Sequence, residues 1–130
     1  METIEVVAAV IQREDKILAT RRNYGEFKGM WEFPGGKIEK HETHKEALKR
    51  ELKEELNIKI NIERFLTTVE YDYPNFHLIM HCYLCHLPEN EHLTLNVHDQ
   101  TKWIGRENLN SIDWLPADIP VASQIVAQSK

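Results

Sequence analysis

Apolar and polar positions divide the chain into short, well-marked elements. Ile4 to Gln12 is rich in Val, Ile and Ala and predicts a buried strand. Glu14-Asp15-Lys16 marks a turn, and Ile17 to Arg22 reads as the returning strand. Gly25 and Gly29 make Asn23 to Met30 a loop. Trp31-Glu32-Phe33 is short and extended, Pro34 biases Phe33 away from helix, and Gly35-Gly36 opens backbone angles closed to other residues. Thr43 with Glu46 fits a capping box, and good helix formers follow as far as Leu56.

Leu48, Leu52 and Leu56 form the apolar stripe of this helix, with Lys45, Glu46, Lys49, Arg50, Lys53 and Asn57 on or beyond its far edge. Ile58 to Ile62 alternates, and Arg64–Tyr73 with Phe76–His86 predicts a hairpin around Pro74-Asn75. Pro88 to His92 is a polar connection, and Leu93 to Ile104 carries a weaker strand signal. After Pro116-Ala117-Asp118-Ile119-Pro120, the spacing of Val121, Ala122, Ile125 and Val126 predicts a helix with Pro120 in its first turn. The order predicts an α/β (α+β) fold, a mixed sheet between helices, in one domain over residues 1–130.

The mid-chain helix carries an electrostatic oddity. Glu51 lies three and four residues from Glu54 and Glu55, spacings at which like charges cost about 0.2–0.5 kcal/mol per pair in an isolated helix. Glu55 falls beside the apolar stripe and Glu51 and Glu54 continue that flank, where unpaired charge is expensive. Spacing alone leaves two explanations open, a bound cation or a solvated acidic face.

Composition narrows the partners. A net charge of −5 argues against binding a nucleic-acid polymer and is compatible with a small anionic ligand bridged by a metal. No apolar run approaches the ~20 residues of a membrane span, and the first residues lack the basic start of a signal peptide, so a cytoplasmic protein without membrane partners is expected. Cys82 and Cys85 form a C-x-x-C, but strand alternation sends the thiols to opposite faces and predicts plain buried cysteines. The seven histidines show no ligand spacing; His77 and His81 share a strand face as structural or pocket-lining residues.

The run Gly36, five residues, Glu42, seven residues, Arg50-Glu51-Leu52-Lys53-Glu54-Glu55-Leu56-Asn57-Ile58 resembles the Nudix box, G-x5-E-x7-R-E-U-x-E-E-x-G-U with U aliphatic, at eight of nine specified positions. Asn57 replaces the last glycine, where a left-handed residue closes the helix and asparagine is the usual second choice. Thr20-Arg21-Arg22, Trp31 to Glu39, Glu70-Tyr71 and Pro116-Ala117-Asp118 are similar to the MutT-type branch.

The resemblance implies the Nudix α/β/α sandwich and hydrolysis of a nucleoside triphosphate to monophosphate and pyrophosphate. It implies Mg²⁺, with Mn²⁺ as a second choice, on Glu51, Glu54, Glu55 and the Gly35 carbonyl. Arg50 would orient a catalytic glutamate, although on an ideal wheel it points away from that flank. Glu54 is the expected base or base-adjacent ligand, and Asp99 is a second candidate. Arg22 would meet phosphate or be a surface charge, and Lys37 would meet phosphate or be solvated. Phe33, Trp31 or Tyr71 would stack on the base or serve as core aromatics.

Asp118 stands where MutT reads its oxidised guanine with asparagine. An ionised aspartate only accepts hydrogen bonds, which suits the exocyclic amine of cytosine. Members described as CTP pyrophosphohydrolases also carry Pro-Ala-Asp here. The resemblance therefore implies CTP or dCTP as substrate, with 8-oxo-dGTP, a non-catalytic nucleotide- or metal-binding module, and an ADP-ribose or dinucleotide pyrophosphatase as alternatives. A monomer or homodimer is expected.

Overall fold

The structure is a computed structural model that describes residues 1–94 and 98–128, with the side chains of His98 and Asp99 excepted. The strands are β1 (Glu2–Arg13), β2 (Lys16–Arg22), β3 (Trp31–Glu32), β4 (Gly35–Lys37), β5 (Asn61–Tyr73), β6 (Phe76–His86) and β7 (His98–Gly105). The helices are α1 (His44–Leu56) and α2 (Ile119–Gln128), with 3-10 turns over Arg106–Ser111 and Pro116–Asp118.

All seven strands join one mixed sheet. β1 runs parallel to β6, and every other strand-to-strand pairing is antiparallel; an isolated parallel bridge joins Trp31 to Trp114. β1 alternates strictly: Val7, Ala9 and Ile11 face α1 through Leu48, Leu52 and Leu56, while Ala8 and Val10 join the opposite core with Val121, Ala122 and Ile125 of α2. The product is an α/β/α sandwich. The same alternation sends Cys82 to the α2 core and Cys85 to the α1 core, as expected, and burial pushes both thiols up.

The sheet splits where the site forms. β1 pairs with β2 only at Gln12 and Arg13, and further back the same edge takes β4 through Val6, Val7 and Ala8. The glycine pair is therefore part of a short strand. Its close approach requires glycine, because a Cβ on Gly35 would lie 2.0 Å from the Val7 carbonyl oxygen.

The helix signals hold. Thr43 and Glu46 form a full capping box, and Asn57 closes α1 at φ 55°, ψ 43°, donating its N–H to Lys53. β5 differs from expectation by absorbing Asn61 to Glu63, with register shifts between Ile62 and Arg64 and between Phe65 and Thr67 that bend the strand. Of the strand expected over Leu93 to Ile104, β7 covers His98–Gly105, Leu93 and Thr94 lie outside it, and residues 95–97 lie outside the described residues. Asp118 closes a 3-10 turn ahead of α2, and Pro120 lies in the first turn as expected. Among the described residues no helix is long and apolar enough to cross a membrane.

Candidate active site

The α1 carboxylates lie over β4. A Cβ on Gly36 would fall 2.4 Å from the Glu51 carboxylate, so glycine at this position is what lets Glu51 approach the strand. Gly35, Gly36 and Lys37 form one wall of a cleft whose other wall is Arg50, Glu51, Glu54 and Glu55, with Tyr24 at its rim.

Arg50 does not point away from this flank. Its long side chain curls back, and the planar guanidinium fork binds on several sides at once. Nε and Nη2 donate to Glu42 at 2.7 and 2.9 Å, Nη1 to Glu51 at 2.9 Å and to Glu54 at 3.3 Å, and Nη2 also to the Lys37 carbonyl at 3.0 Å. Glu42 is fixed in turn by accepting the Glu39 N–H at 2.8 Å. Wheel angles place Cβ atoms and miss a side chain long enough to reach round the helix.

The three glutamates differ in environment. Glu54 has 60% of its side chain exposed, against 16% for Glu51. Glu55 is buried, and its Oε1 has no hydrogen-bond partner. Burial first, then the charges of Glu51 and Glu32, push the Glu55 carboxyl up to about 8, against a hydrogen bond from the Gly35 backbone. Burial also raises Glu51, and its hydrogen bond from Arg50 opposes the shift. A buried, unpartnered carboxylate oxygen is costly, and a hard divalent cation would satisfy this all-oxygen set. The residues fit such an ion.

The cleft continues inward. Gly35, Gly36, Arg22 and Glu32 are shared by two further hollows, one reaching Lys37 and Glu55 and the other Phe27, Phe33, Tyr73, Leu115, Ala117 and Asp118. Asp118 is 4% exposed and its Oδ1 has no hydrogen-bond partner. Burial first, then the charge of Glu32, hold its carboxyl well above the usual range, opposed by Arg22 and a backbone hydrogen bond from Phe33. The turn that carries Asp118 is tied to β3 and β5: Leu115 N–H donates to Trp31 O at 2.8 Å, and Ala117 N–H to the Tyr73 hydroxyl at 3.2 Å.

Other sequence candidates fare differently. Arg22 lies in the wall between carboxylates and Asp118, held by Glu32 through contacts of 2.7 and 3.3 Å. Lys37 is exposed at the mouth. Phe33 lines the inner hollow and stacks on Trp114 at 4.3 Å between centroids. Trp31 is buried in the α2-side core, and Tyr71 lies in a neighbouring surface groove. Asp99 falls at a register shift beside Arg22 in β7, and its side chain lies outside the described residues.

Sequence reasoning missed Glu32 and Tyr24. Glu32 balances Arg22 and adds to the raised Glu55 and Asp118 carboxyls, and a single charge between aromatic Trp31 and Phe33 was its only trace. Tyr24 sits in a glycine-containing loop with no motif, under the Arg22 guanidinium at 5.0 Å.

A model of the NUDIX domain matches residues 1–125. The chain is 37% identical over 130 residues to the CTP pyrophosphohydrolase of Escherichia coli (strain K12), covering 98% of this chain and 94% of the relative. It is 31% identical over 127 residues to the 8-oxo-dGTP diphosphatase of the same organism, covering 96% and 98% respectively. The solution structure of the E. coli ORF135 protein superimposes with a TM-score of 0.85 at 34% identity, over 99% of this chain and 92% of that one. With that likeness spanning the sandwich and the box residues gathered at one cleft, this chain belongs to the Nudix hydrolase family.

Proposed function

We propose that the protein is a Mg²⁺-dependent pyrophosphohydrolase that cleaves a cytosine nucleoside triphosphate, CTP or dCTP, to monophosphate and pyrophosphate in the cytoplasmic nucleotide pool. The observation that carries this reading is the continuity of the cleft, from the box carboxylates past Gly35 and Gly36 to the unpartnered carboxyl oxygen of Asp118. A triphosphate at one end and a base at the other match that layout.

Nudix hydrolases generally use a divalent metal. Glu51, Glu54, Glu55 and the Gly35 backbone would hold it, and Mg²⁺ suits oxygen donors, with Mn²⁺ able to substitute. Bound there, the ion supplies charge neutralisation at the phosphoryl oxygens. Arg50 is a positioning residue, since it clamps Glu51 and Glu54 against Glu42. Glu54 is exposed enough to meet the attacking water and takes its proton; Asp99 is the lesser candidate for that role. Arg22 and Lys37 border the path of the phosphates, and Phe33 lines the wall of the base pocket.

Asp118 reads the base. As a carboxylate it accepts from the N4 amine of cytosine and opposes the O4 acceptor of uracil. Its raised proton affinity favours a second reading, 8-oxo-dGTP hydrolysis, because a neutral carboxyl both donates and accepts and so meets the O6 and N1–H of a guanine. The test is a panel of CTP, dCTP, UTP, dGTP and 8-oxo-dGTP with Mg²⁺, resolving monophosphate, pyrophosphate and orthophosphate. The first reading expects the highest kcat/KM on a cytosine nucleotide with pyrophosphate released. A preference for 8-oxo-dGTP supports the second, and release of orthophosphate contradicts both.

A further inference from the structure

We propose that Glu5, His44 and His81 form a second divalent-cation site, of imidazole and carboxylate donors suited to Zn²⁺, separate from the box carboxylates. One donor atom from each of the three lies within 4.8 Å of the others. The residues come from β1, the first turn of α1 and β6, which explains why no spacing along the chain reveals them. The parallel register sets Val7 beside His81, and the Ile38 N–H donates to Glu5 O at 3.2 Å, drawing the start of the α1 connection to the same edge.

The two imidazoles are already oriented. Nδ1 of His81 lies 2.8 Å from the Thr68 hydroxyl, and Nδ1 of His44 lies 3.0 Å from the Tyr83 hydroxyl. With Nδ1 engaged on each ring, Nε2 is the nitrogen left for a metal, and an outer hydrogen bond of this kind fixes ring and tautomer in metal-binding histidines. Nε2 of His81 faces Glu5 Oε2 at 2.5 Å, a pairing that a cation would take over.

The rings of His44 and His81 stack, with centroids 4.1 Å apart and planes 22° from parallel. Binding must open the 2.5 Å His81–Glu5 separation to about 3.4 Å, the value for a tetrahedral ion with ~2.1 Å bonds, and must splay the rings so that both lone pairs converge. Glu5 has half of its side chain in solvent and His44 starts a helix, so both can move.

Chemistry separates this site from the box. His44 precedes Glu51 by seven residues on α1, about 10 Å along the axis. Imidazole favours Zn²⁺, Ni²⁺ or Cu²⁺, whereas an all-carboxylate set favours Mg²⁺. An ion on Glu5, His44 and His81 would pin the start of α1 to two strands.

The test is calorimetric titration of the full chain with ZnCl₂ in saturating Mg²⁺, paired with thermal melts. The expected result is one Zn²⁺ equivalent and a higher Tm. His44→Gln and His81→Gln should each weaken binding by more than about tenfold and abolish the Tm shift, while Glu54→Gln leaves both unchanged. His44→Gln changes a partly exposed helix-start residue and keeps a group able to bond Tyr83, so loss of the fold does not obscure the result. Zn²⁺ binding that is absent in the wild type, or that survives in His44→Gln, overturns the proposal.

Discussion

Arg50 and Glu42 form a bidentate pair, with Nε and Nη2 of the arginine at 2.7 and 2.9 Å from the two oxygens of the glutamate. This pair fastens the loop before α1 to the middle of the helix, and the remaining Nη1 donates to Glu51 and Glu54. Lysine at position 50 would keep the charge and lose the fork. Arg50→Lys is therefore expected to lower kcat by about 10–100-fold, the cost of misplacing catalytic groups by around an ångström, with a smaller change in KM for the nucleotide. Steady-state kinetics on CTP check this, and an unchanged kcat would show that Arg50 does not position the glutamates.

The two box glycines should fail in different ways. Gly35→Ala drives a Cβ into the Val7 backbone, which is expected to destabilise the protein by about 1–3 kcal/mol. Gly36→Ala meets the Glu51 side chain first, which can turn aside, so activity should fall more than stability. Urea melts and kcat on the two variants distinguish them.

The helix end offers a stability test. Asn57 is left-handed at φ 55°, so Asn57→Ala should cost about 1–2 kcal/mol and Asn57→Gly little or nothing. Denaturant midpoints measure both.

Glu55 makes the metal-free protein sensitive to pH. Its folded carboxyl sits at about 8 against an ordinary value near 4.5. Between those values the unfolded chain has lost a proton that the folded chain keeps, so stability falls as pH rises through the window and levels off above it. Urea unfolding in chelator at pH 5 and pH 8 should show this decline in the wild type and a smaller one in Glu55→Gln. Equal slopes in the two proteins would contradict the assignment.

Much of the site was legible because its signals are local. Thr43 and Glu46, Asn57 and the i, i+3 and i+4 glutamates lie within single elements, where spacing translates directly into geometry. What was not legible depends on tertiary placement. The Gly35–Lys37 strand exists because β1 parts from β2. Glu32 matters through Arg22 across a strand pair. His44 meets His81 only once α1 lies on the sheet. Arg50 was misplaced for another reason, since its reach exceeds what a wheel represents.

The most direct test of base recognition by Asp118 is the ratio of kcat/KM for CTP over UTP, measured with Mg²⁺ in the wild type and in Asp118→Asn. Cytosine and uracil differ at the 4-position, where an amine donor is exchanged for a carbonyl acceptor. A wild-type ratio of about 10–100 is expected, the worth of one hydrogen bond to a charged group, collapsing towards one in Asp118→Asn. Equal ratios in the two proteins would contradict it.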